Sequence, residues 1–189
     1  MSDAGITREK AYELLTSNLK KENLIKHCLA TEAIMRELAP RFSEDPEAWG
    51  ITGLLHDLDL EIVNNDMHTH ALKSAEIAVE AGLAEKYAEA IRRHNAEGLG
   101  LSRETTLDHA LAAAETITGL IVATALVYPD KKLASVKVKS VRKRIKEPRF
   151  AAGADRDIIR ECEIVGIPLD EFCELSLEAM KGISTELGL

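Results

Sequence analysis

The sequence predicts an all-α protein, and three observations support this. Apolar residues recur at three- and four-residue spacing along almost the whole chain, which is the period of an amphipathic helix. Alternating apolar and polar runs, which are typical of strands, are scarce. The 189 residues are 46% hydrophobic but only 4% aromatic, so one core can form mainly from Ala, Leu, Ile and Val. We expect a single-domain helical bundle over residues 1–189.

The helices in the first third of the chain have readable ends. The predicted helices lie, in chain order, over about residues 7–20, 23–39, 46–57, 70–81, 84–94, 105–127, 155–165 and 169–186. The first places Leu15 and Leu19 on one apolar stripe. The second ends before Pro40, because a residue that precedes proline disfavours the α conformation. The third begins with Asp45 as its N-cap and Pro46 at its first position.

The later helices are predicted from caps and breakers of the same kind. Thr69 is the expected cap of the fourth helix, which Gly82 ends. The fifth precedes "EGLGLS" at residues 97–102, which we predict as a loop. The sixth is the most apolar and stops before Pro129, so we expect it to be buried on most sides. The last two helices close the chain.

Charge and cysteine content bound the possible partners and the compartment. The net charge is -8 at pH 7, which argues against bulk electrostatic binding to nucleic acid or to an anionic membrane. Cys28, Cys162 and Cys173 form no C-x-x-C pair, and their odd number favours a reduced compartment. The N-terminus shows no apolar leader, and long apolar runs are absent from the sequence. We expect a cytoplasmic protein with neither a membrane nor a nucleic acid polymer as partner.

A series of histidines and carboxylates indicates a metal site. All six histidines lie between positions 27 and 109. His56 and Asp57 end an apolar helix, and Glu115 lies inside the most apolar one. Buried charges without partners are costly, whereas imidazole and carboxylate are standard ligands of divalent first-row metals. Because a bundle can bring ligands from several helices to one interior point, one cation or a pair of cations could bind them all.

The order of these residues resembles the HD-domain superfamily of metal-dependent phosphohydrolases, of the HDIG type. The matching residues are His27, His56, Asp57, His70, His94 and Glu115. "HALKSAEIA" from His70 is similar to the family's H-x-x-x-[GS]-A segment, and "AIRRHN" around His94 is similar to its later "aI..H" segment. The resemblance implies a helical bundle of the HD-domain type, with the metal-site core over about residues 24–127. The basic segment and C-terminal helices occupy residues 128–189.

The resemblance also implies a role for each matching residue. His27, His56 and Asp57 would hold a first metal ion. Asp57 would bridge to a second ion, which His70 and His94 would bind. The implied cofactor is one or two divalent transition metal ions, with Fe, Mn, Ni, Co and Zn all compatible. His56 and Asp57 form the expected catalytic centre.

Four further residues have more than one interpretation. Glu115 stands where the family usually has aspartate, so it is expected to ligate, to reach a metal-bound water or to leave that corner open. Asp59 either orients a ligand imidazole from behind or is solvated. His68 contacts substrate or is an exposed loop residue. His109 is interpreted as structural or peripheral.

The site implied by the resemblance suits hydrolysis of a phosphate ester. A divalent metal lowers the pKa of bound water to about 7, and two metals can offset charge on phosphoryl oxygens. We therefore expect a metal-dependent phosphohydrolase acting on a nucleotide or a similar small phosphorylated substrate. Two alternatives stay open: a non-catalytic regulatory or binding module that the metal stabilises, and a di-iron oxygenase of the HD type. The sequence indicates no oligomeric state.

A basic segment bears on the substrate. Residues 131–149 read "KKLASVKVKSVRKRIKEPR" and contain nine of the 24 basic residues but only one acid. Val138, Val141 and Ile145 form an apolar stripe, which predicts an amphipathic helix. Its charged face is either solvated or an anion collar that steers a phosphate group to the site. The candidate substrate-binding residues are Lys139, Lys143, Arg149 and His68.

Overall fold

The structure, a computed structural model, describes residues 3–189 and contains only helices and turns over that range. The helices are α1 (Arg8–Asn18), α2 (Glu22–Leu38), α3 (Pro46–Leu55), α4 (Leu72–Glu80), α5 (Glu85–His94), α6 (Ala96–Leu99), α7 (Thr106–Leu126), α8 (Val138–Ile145), α9 (Arg156–Ile159), α10 (Glu161–Ile164), α11 (Leu169–Gly182) and α12 (Ser184–Leu187). Two 3-10 turns cover Ala39–Phe42 and Leu133–Ser135. The all-α prediction is therefore confirmed.

Helices α2 and α3 share the most extensive contact of any helix pair in the described part of the chain. Gly53 makes this packing possible, because a Cβ atom there would lie 3.0 Å from the Thr31 carbonyl oxygen and 3.1 Å from the Glu32 nitrogen. Helix α3 starts as predicted: the Asp45 side chain accepts a hydrogen bond from the Glu47 amide, and Pro46 occupies the first turn. All residues of α3 from Ala48 to Leu55 are buried.

Helix α7 is the central helix and packs against α2, α5, α8 and α9. Its start is a capping box, in which the Thr105 hydroxyl accepts from the Asp108 amide and the Asp108 carboxylate accepts from the Thr105 amide. Helix α7 is long and apolar enough to span a membrane by composition, but 67% of its most apolar window is buried inside the protein. Its apolar sequence thus matches a core helix.

The structure corrects the predicted start of the fourth helix. Thr69 is not its cap: α4 begins at Leu72, after Ala71 in a left-handed conformation with φ +79°. The reason is a long-range contact, in which the Asp59 carboxylate accepts hydrogen bonds from the amides of Lys73 and Ser74. These amides lie in the first turn of α4, where donors lack partners within the helix. Asp59 therefore accepts the hydrogen bonds that a local N-cap residue would otherwise accept.

Three other boundaries also differ from the prediction. The helix predicted over 169–186 is two helices, α11 and α12, which break at Ile183. The segment predicted as the loop 97–102 begins inside a short helix, α6. The helix predicted over 155–165 is two short helices that break at Arg160, where ψ is -8°. Its start is as predicted, since the Asp155 side chain accepts from the amides of Asp157 and Ile158. The predicted basic helix is α8, in which Val141 and Ile145 are buried.

Candidate metal centre

Four separate elements supply the site residues. Helix α2 carries His27, the end of α3 supplies His56 and Asp57, and α5 ends at His94. His70 comes from the turns that precede α4. These side chains meet in the interior, where His56 is fully buried and Asp57 is 5% exposed.

The side chains form two groups that share Asp57. In one, the Nε2 atoms of His27 and His56 lie 3.1 Å apart. In the other, the Nε2 atoms of His70 and His94 also lie 3.1 Å apart. Oδ1 of Asp57 lies 3.1 Å from Nε2 of His70 and 3.4 Å from Nε2 of both His56 and His94. Oδ2 of Asp57 lies 3.4 Å from Nε2 of His27. We call the two groups the first trio (His27, His56, Asp57) and the second trio (Asp57, His70, His94).

Hydrogen bonds on the far side of three rings fix their tautomers. Nδ1 of His56 lies 2.8 Å from the Gly53 carbonyl oxygen, and Nδ1 of His94 lies 2.6 Å from the Ile91 carbonyl oxygen. A carbonyl only accepts, so each Nδ1 carries the proton and, in the neutral ring, each Nε2 presents a lone pair.

His27 reaches the same state through a hydroxyl group. Thr118 donates its proton to the Glu115 carbonyl oxygen at 2.6 Å, so its oxygen accepts from His27 Nδ1 at 2.9 Å. Nε2 of the neutral His27 ring therefore also presents a lone pair to the interior. Two facing lone pairs 3.1 Å apart repel each other unless a cation lies between them.

His70 is held differently, by a carboxylate. Its Nδ1 lies 2.6 Å from Oδ1 of Asp59, which is fully buried. Burial opposes protonation, but the hydrogen bonds to Asp57 and Asp59 outweigh it and raise the pKa of His70 to about 9. Metal binding at Nε2 of His70 would therefore release a proton near neutral pH.

The donor set fits a divalent metal ion. Two imidazole nitrogens that each lie about 2.1 Å from one ion, at roughly a right angle, are about 3 Å apart. This agrees with the 3.1 Å separation in each trio. The trios combine imidazole nitrogen and carboxylate oxygen, which are the ligand types that first-row divalent metals accept.

The protonation states also fit metal ligation. Burial, together with the neighbouring His94 and His27, lowers the pKa of His56 to about 3, and burial lowers the pKa of His27 as well. Burial would raise the pKa of Asp57, but the surrounding histidines hold it well below the usual value. Neutral imidazoles and an ionised carboxylate are the forms that bind metal.

Glu115 lies at the edge of the site and belongs to neither trio. Its Oε2 is 3.8 Å from Nε2 of His27, and its Oε1 accepts a hydrogen bond from the Thr116 hydroxyl. Burial, with the nearby charge of Asp57, raises the pKa of Glu115 to about 8 against the effect of that hydrogen bond. In this arrangement Glu115 faces the space beside the first trio.

The remaining predicted residues lie outside the trios. The Asp59 carboxylate contacts His70 directly, in the orienting position considered from the sequence. His109 bonds through Nδ1 to Glu161 at 2.7 Å, which makes it part of the packing of α7 against α10. His68 is exposed and lies 3.3 Å from the Gly98 carbonyl oxygen. The basic residues predicted to bind substrate are exposed, and none of them lines the cavities at the site; they are Lys139, Lys143 and Arg149.

Two cavities open onto the trios. One, of about 390 Å³, is lined by Asp57, His70, His94 and Glu115 of the site. The other, of about 290 Å³, is lined by His27, Glu115 and Thr118. Asp155 and Ile158 contribute to both cavities. The start of α9 therefore forms the mouth of the site.

Sequence reasoning missed three residues of this arrangement. Thr118 was detectable in principle, because it lies three residues after Glu115 on the same helix and is a polar residue in an apolar run. Asp155 and Ile158 carried no such signal. They reach the site because α9 packs against α7, a contact between segments about 40 residues apart.

The chain is similar in sequence to known proteins. An uncharacterised protein of Methanocaldococcus jannaschii is 34% identical over 105 residues, which cover 53% of this chain and 59% of that protein. The chain thus spans less than two thirds of the length of this relative. No solved structure matches the chain significantly. Residues 24–156 match the HD domain, and the chain therefore belongs to the HD domain family of metal-dependent hydrolases, which bind divalent metals.

Proposed function

We propose that this protein is a metal-dependent phosphohydrolase that uses water to cleave a phosphate ester of a nucleotide or a similar small molecule. The observation that carries the proposal is the position of Asp57. Its two oxygens lie 3.1 to 3.4 Å from imidazole nitrogens of both trios, so one carboxylate can serve two ions. Ions bound there would lower the pKa of water and offset charge on phosphoryl oxygens.

The chain's own residues have separate roles in this proposal. His27 and His56 would hold one ion, His70 and His94 would hold the other, and Asp57 would serve both. Asp59 keeps the His70 ring oriented through its 2.6 Å hydrogen bond. The low pKa values of His27 and His56 keep these two imidazoles neutral and Asp57 stays ionised, so the first trio is ready to bind a cation, whereas His70 would release its proton when an ion binds.

The charges around the site favour a substrate with few phosphate groups. The cavity beside the second trio is lined by four carboxyl groups, those of Asp57, Glu97, Glu115 and Asp155. Among the described residues that line the two site cavities there is no lysine or arginine. Additional phosphates would therefore find no lysine or arginine among these described lining residues to pair with, and the ions would have to neutralise the phosphate that reacts. The exposed charges of α8 contribute only a long-range field.

The proposed reaction consumes one water molecule. The water oxygen forms a bond to phosphorus, the bond from phosphorus to the ester oxygen breaks, and a proton from water ends on the released alcohol. Phosphate and an alcohol are the products.

A reducing compartment such as the cytoplasm suits a chain whose three cysteines are buried and unpaired.

A turnover assay tests the proposal. Protein loaded with Mn²⁺, Fe²⁺, Co²⁺, Ni²⁺ or Zn²⁺ is incubated with a panel of nucleoside monophosphates and other phosphate esters, and released phosphate is measured. Asp57→Ala and His56→Ala should lower kcat by more than about a hundredfold. Glu178→Gln removes an exposed carboxylate on α11 and should leave the rate unchanged.

Three outcomes would count against the proposal. Full activity in Asp57→Ala would contradict the assigned site. Tightly bound metal without turnover of any ester would favour a metal-stabilised regulatory or binding module. Substrate-dependent oxygen consumption by the iron-loaded protein would favour an oxygenase.

A further inference from the structure

A third cavity, of about 260 Å³, adjoins the site and is mainly apolar. Its apolar walls come from Ala30 on α2, Val122 on α7, and Leu187 and Leu189 at the end of the described chain. It shares three lining residues, His27, Thr118 and Gly119, with the cavity that reaches Glu115. An apolar chamber therefore lies directly beside the ligands of the first trio.

Gly119 stands at the junction of these two cavities. It lies in the interior of α7, where glycine is less favourable than alanine because it loses more backbone freedom on folding. No atom lies within 4 Å of the position where its Cβ would be, so packing does not require a glycine there. Because Gly119 lines both cavities, a larger side chain at this exposed position would occupy open space beside them.

The chamber offers little to a charged ligand. Among the described residues that line the chamber, Lys26 alone has a fully charged side chain, and its ammonium group lies 2.7 Å from the Glu22 carboxylate. The volume lies below the range of about 300 to 1,000 Å³ that whole small-molecule ligands usually occupy. It suits one part of a ligand whose other part is bound in the adjoining cavity.

We propose that this chamber is the subsite for an uncharged, apolar part of the substrate, and that Gly119 is a specificity-determining residue. The proposal rests on the phosphohydrolase function and narrows its substrate to a phosphate monoester of an alcohol with an alkyl or aromatic group. The phosphate would lie at the trios and the apolar group would extend past Gly119. Hydrolysis would then release that alcohol and phosphate.

A chain-length series tests the subsite by equilibrium binding. The full chain, loaded with Mn²⁺, is titrated with n-alkanols from ethanol to octanol by calorimetry or by ligand-observed NMR. Each added methylene should tighten binding up to about fourfold until the chamber is full. Gly119→Leu should abolish this dependence, and Gly119→Ala should weaken it without disturbing the helix.

A matched control uses another exposed helical glycine with open space around it. Gly182, the last residue of α11, lines none of the three cavities, so Gly182→Leu should bind the alkanols like the original protein. In parallel, kcat/KM for the matching alkyl phosphates should follow the same series in the original protein and in Gly182→Leu, and should lose its dependence on chain length in Gly119→Leu.

The two proposals fail in different ways. Binding that does not depend on chain length, or an unchanged dependence in Gly119→Leu, would overturn the subsite even if phosphate is released. Chain-length-dependent alkanol binding that Gly119→Leu abolishes would support the subsite. If no ester is hydrolysed in that case, the hydrolase function alone is overturned.

Discussion

Four imidazoles direct their Nε2 atoms at one carboxylate, and this pattern distinguishes the site from ordinary buried polar residues. Buried polar groups normally pair a donor with an acceptor. Here Nδ1 of His27, His56 and His94 each bonds to an acceptor, so each ring in its neutral form offers only an acceptor to the interior. His70 carries the extra proton in the absence of metal, because Asp57 and Asp59 both contact it.

Asp59, which bonds to Nδ1 of His70, should control the metal affinity of the second trio but not that of the first. Asp59→Asn keeps the size of the side chain but removes its charge, so the His70 ring is held less firmly and becomes a weaker ligand. We expect the affinity of the second trio for Mn²⁺ or Zn²⁺ to fall by about 10- to 100-fold. Calorimetric titration of folded protein measures this affinity.

The first trio and a neighbouring carboxylate provide the controls for Asp59→Asn. Binding to the first trio should stay the same, since Asp59 contacts neither His27 nor His56. Asp66→Asn, which alters an exposed carboxylate in the same turns, should leave both affinities unchanged. Equal losses at both trios would refute a role specific to His70.

Acid should destabilise the metal-free protein through His56. The pKa of His56 is lowered to about 3 by burial, whereas the unfolded chain has a value of about 6.5. Between these values the unfolded state binds a proton that the folded state does not. The free energy of unfolding should therefore fall as pH falls from 6.5, by up to about 1.4 kcal/mol per pH unit. Urea unfolding in EDTA measures the slope.

Alkali should destabilise the metal-free protein through His70. Its raised pKa of about 9 means that its contribution is fully present below pH 6.5 and is lost as pH rises through 9. His56→Gln should flatten the acid limb of the stability profile and His70→Gln the alkaline limb. If both variants keep the original dependence of unfolding free energy on pH, groups other than His56 and His70 control that dependence.

Helix packing sets the distance between the ligands. His27 lies on α2 and His56 follows α3, so the 3.1 Å between their Nε2 atoms depends on how closely the two helices approach. That approach requires glycine at position 53, which meets backbone atoms of Thr31 and Glu32. The sequence did not reveal this requirement, because an isolated glycine in an apolar helix has no visible partner until the helices are packed.

Gly53→Ala should therefore weaken the first trio as well as the fold. The added methyl group pushes α3 away from α2 by a few tenths of an ångström. We expect a loss of about 1 to 3 kcal/mol in the free energy of unfolding. We also expect weaker metal binding at the first trio. Thermal unfolding and metal titration measure the two effects.

Gly50→Ala in the same helix is the matched control. The three atoms nearest to its Cβ would belong to the Arg36 side chain and not to the backbone of α2, so the clash would fall on a side chain and not on the helix spacing. This variant should keep the metal affinity of the original protein. If Gly53→Ala binds metal as tightly as Gly50→Ala does, helix spacing does not set the site geometry.

The helix boundaries show which local sequence signals suffice to predict where a helix starts and which do not. The caps at Asp45 and Thr105 act within one turn of their own helices, and both starts followed from sequence. The start of α4 did not follow, because Asp59 satisfies its first amides from 14 residues upstream. Thr69 was the best local candidate, yet its hydroxyl bonds back to Asp66 instead.

At the scale of the whole molecule, the bundle is a core of small aliphatic residues around a polar centre. The order of the histidines allowed the site residues to be proposed from sequence, because a family resemblance linked residues that lie far apart in the chain. The mouth could not be predicted in this way. Asp155 and Ile158 reach it only through tertiary packing, and the basic segment, expected as a possible collar, lies outside the site cavities.

Metal binding should stabilise the whole fold. The trios join α2, α3, α5 and the turns before α4, so an ion bound to them stabilises the folded state alone. An ion present at a hundred times its Kd adds about 2.7 kcal/mol to the free energy of unfolding. Circular dichroism should therefore show a lower Tm after chelation, with the helical content at 25 °C retained. An unchanged Tm would contradict structural coupling between the ions and the bundle.

The most direct test of the metal centre is an anomalous-scattering map from a crystal of the Mn²⁺-loaded protein. The account predicts two peaks, one at each trio, with Asp57 contacting both ions through its carboxylate. His56 should contact only the first ion and His94 only the second. A map without a peak at either trio, or with Asp57 turned away from the ions, would contradict the central claim.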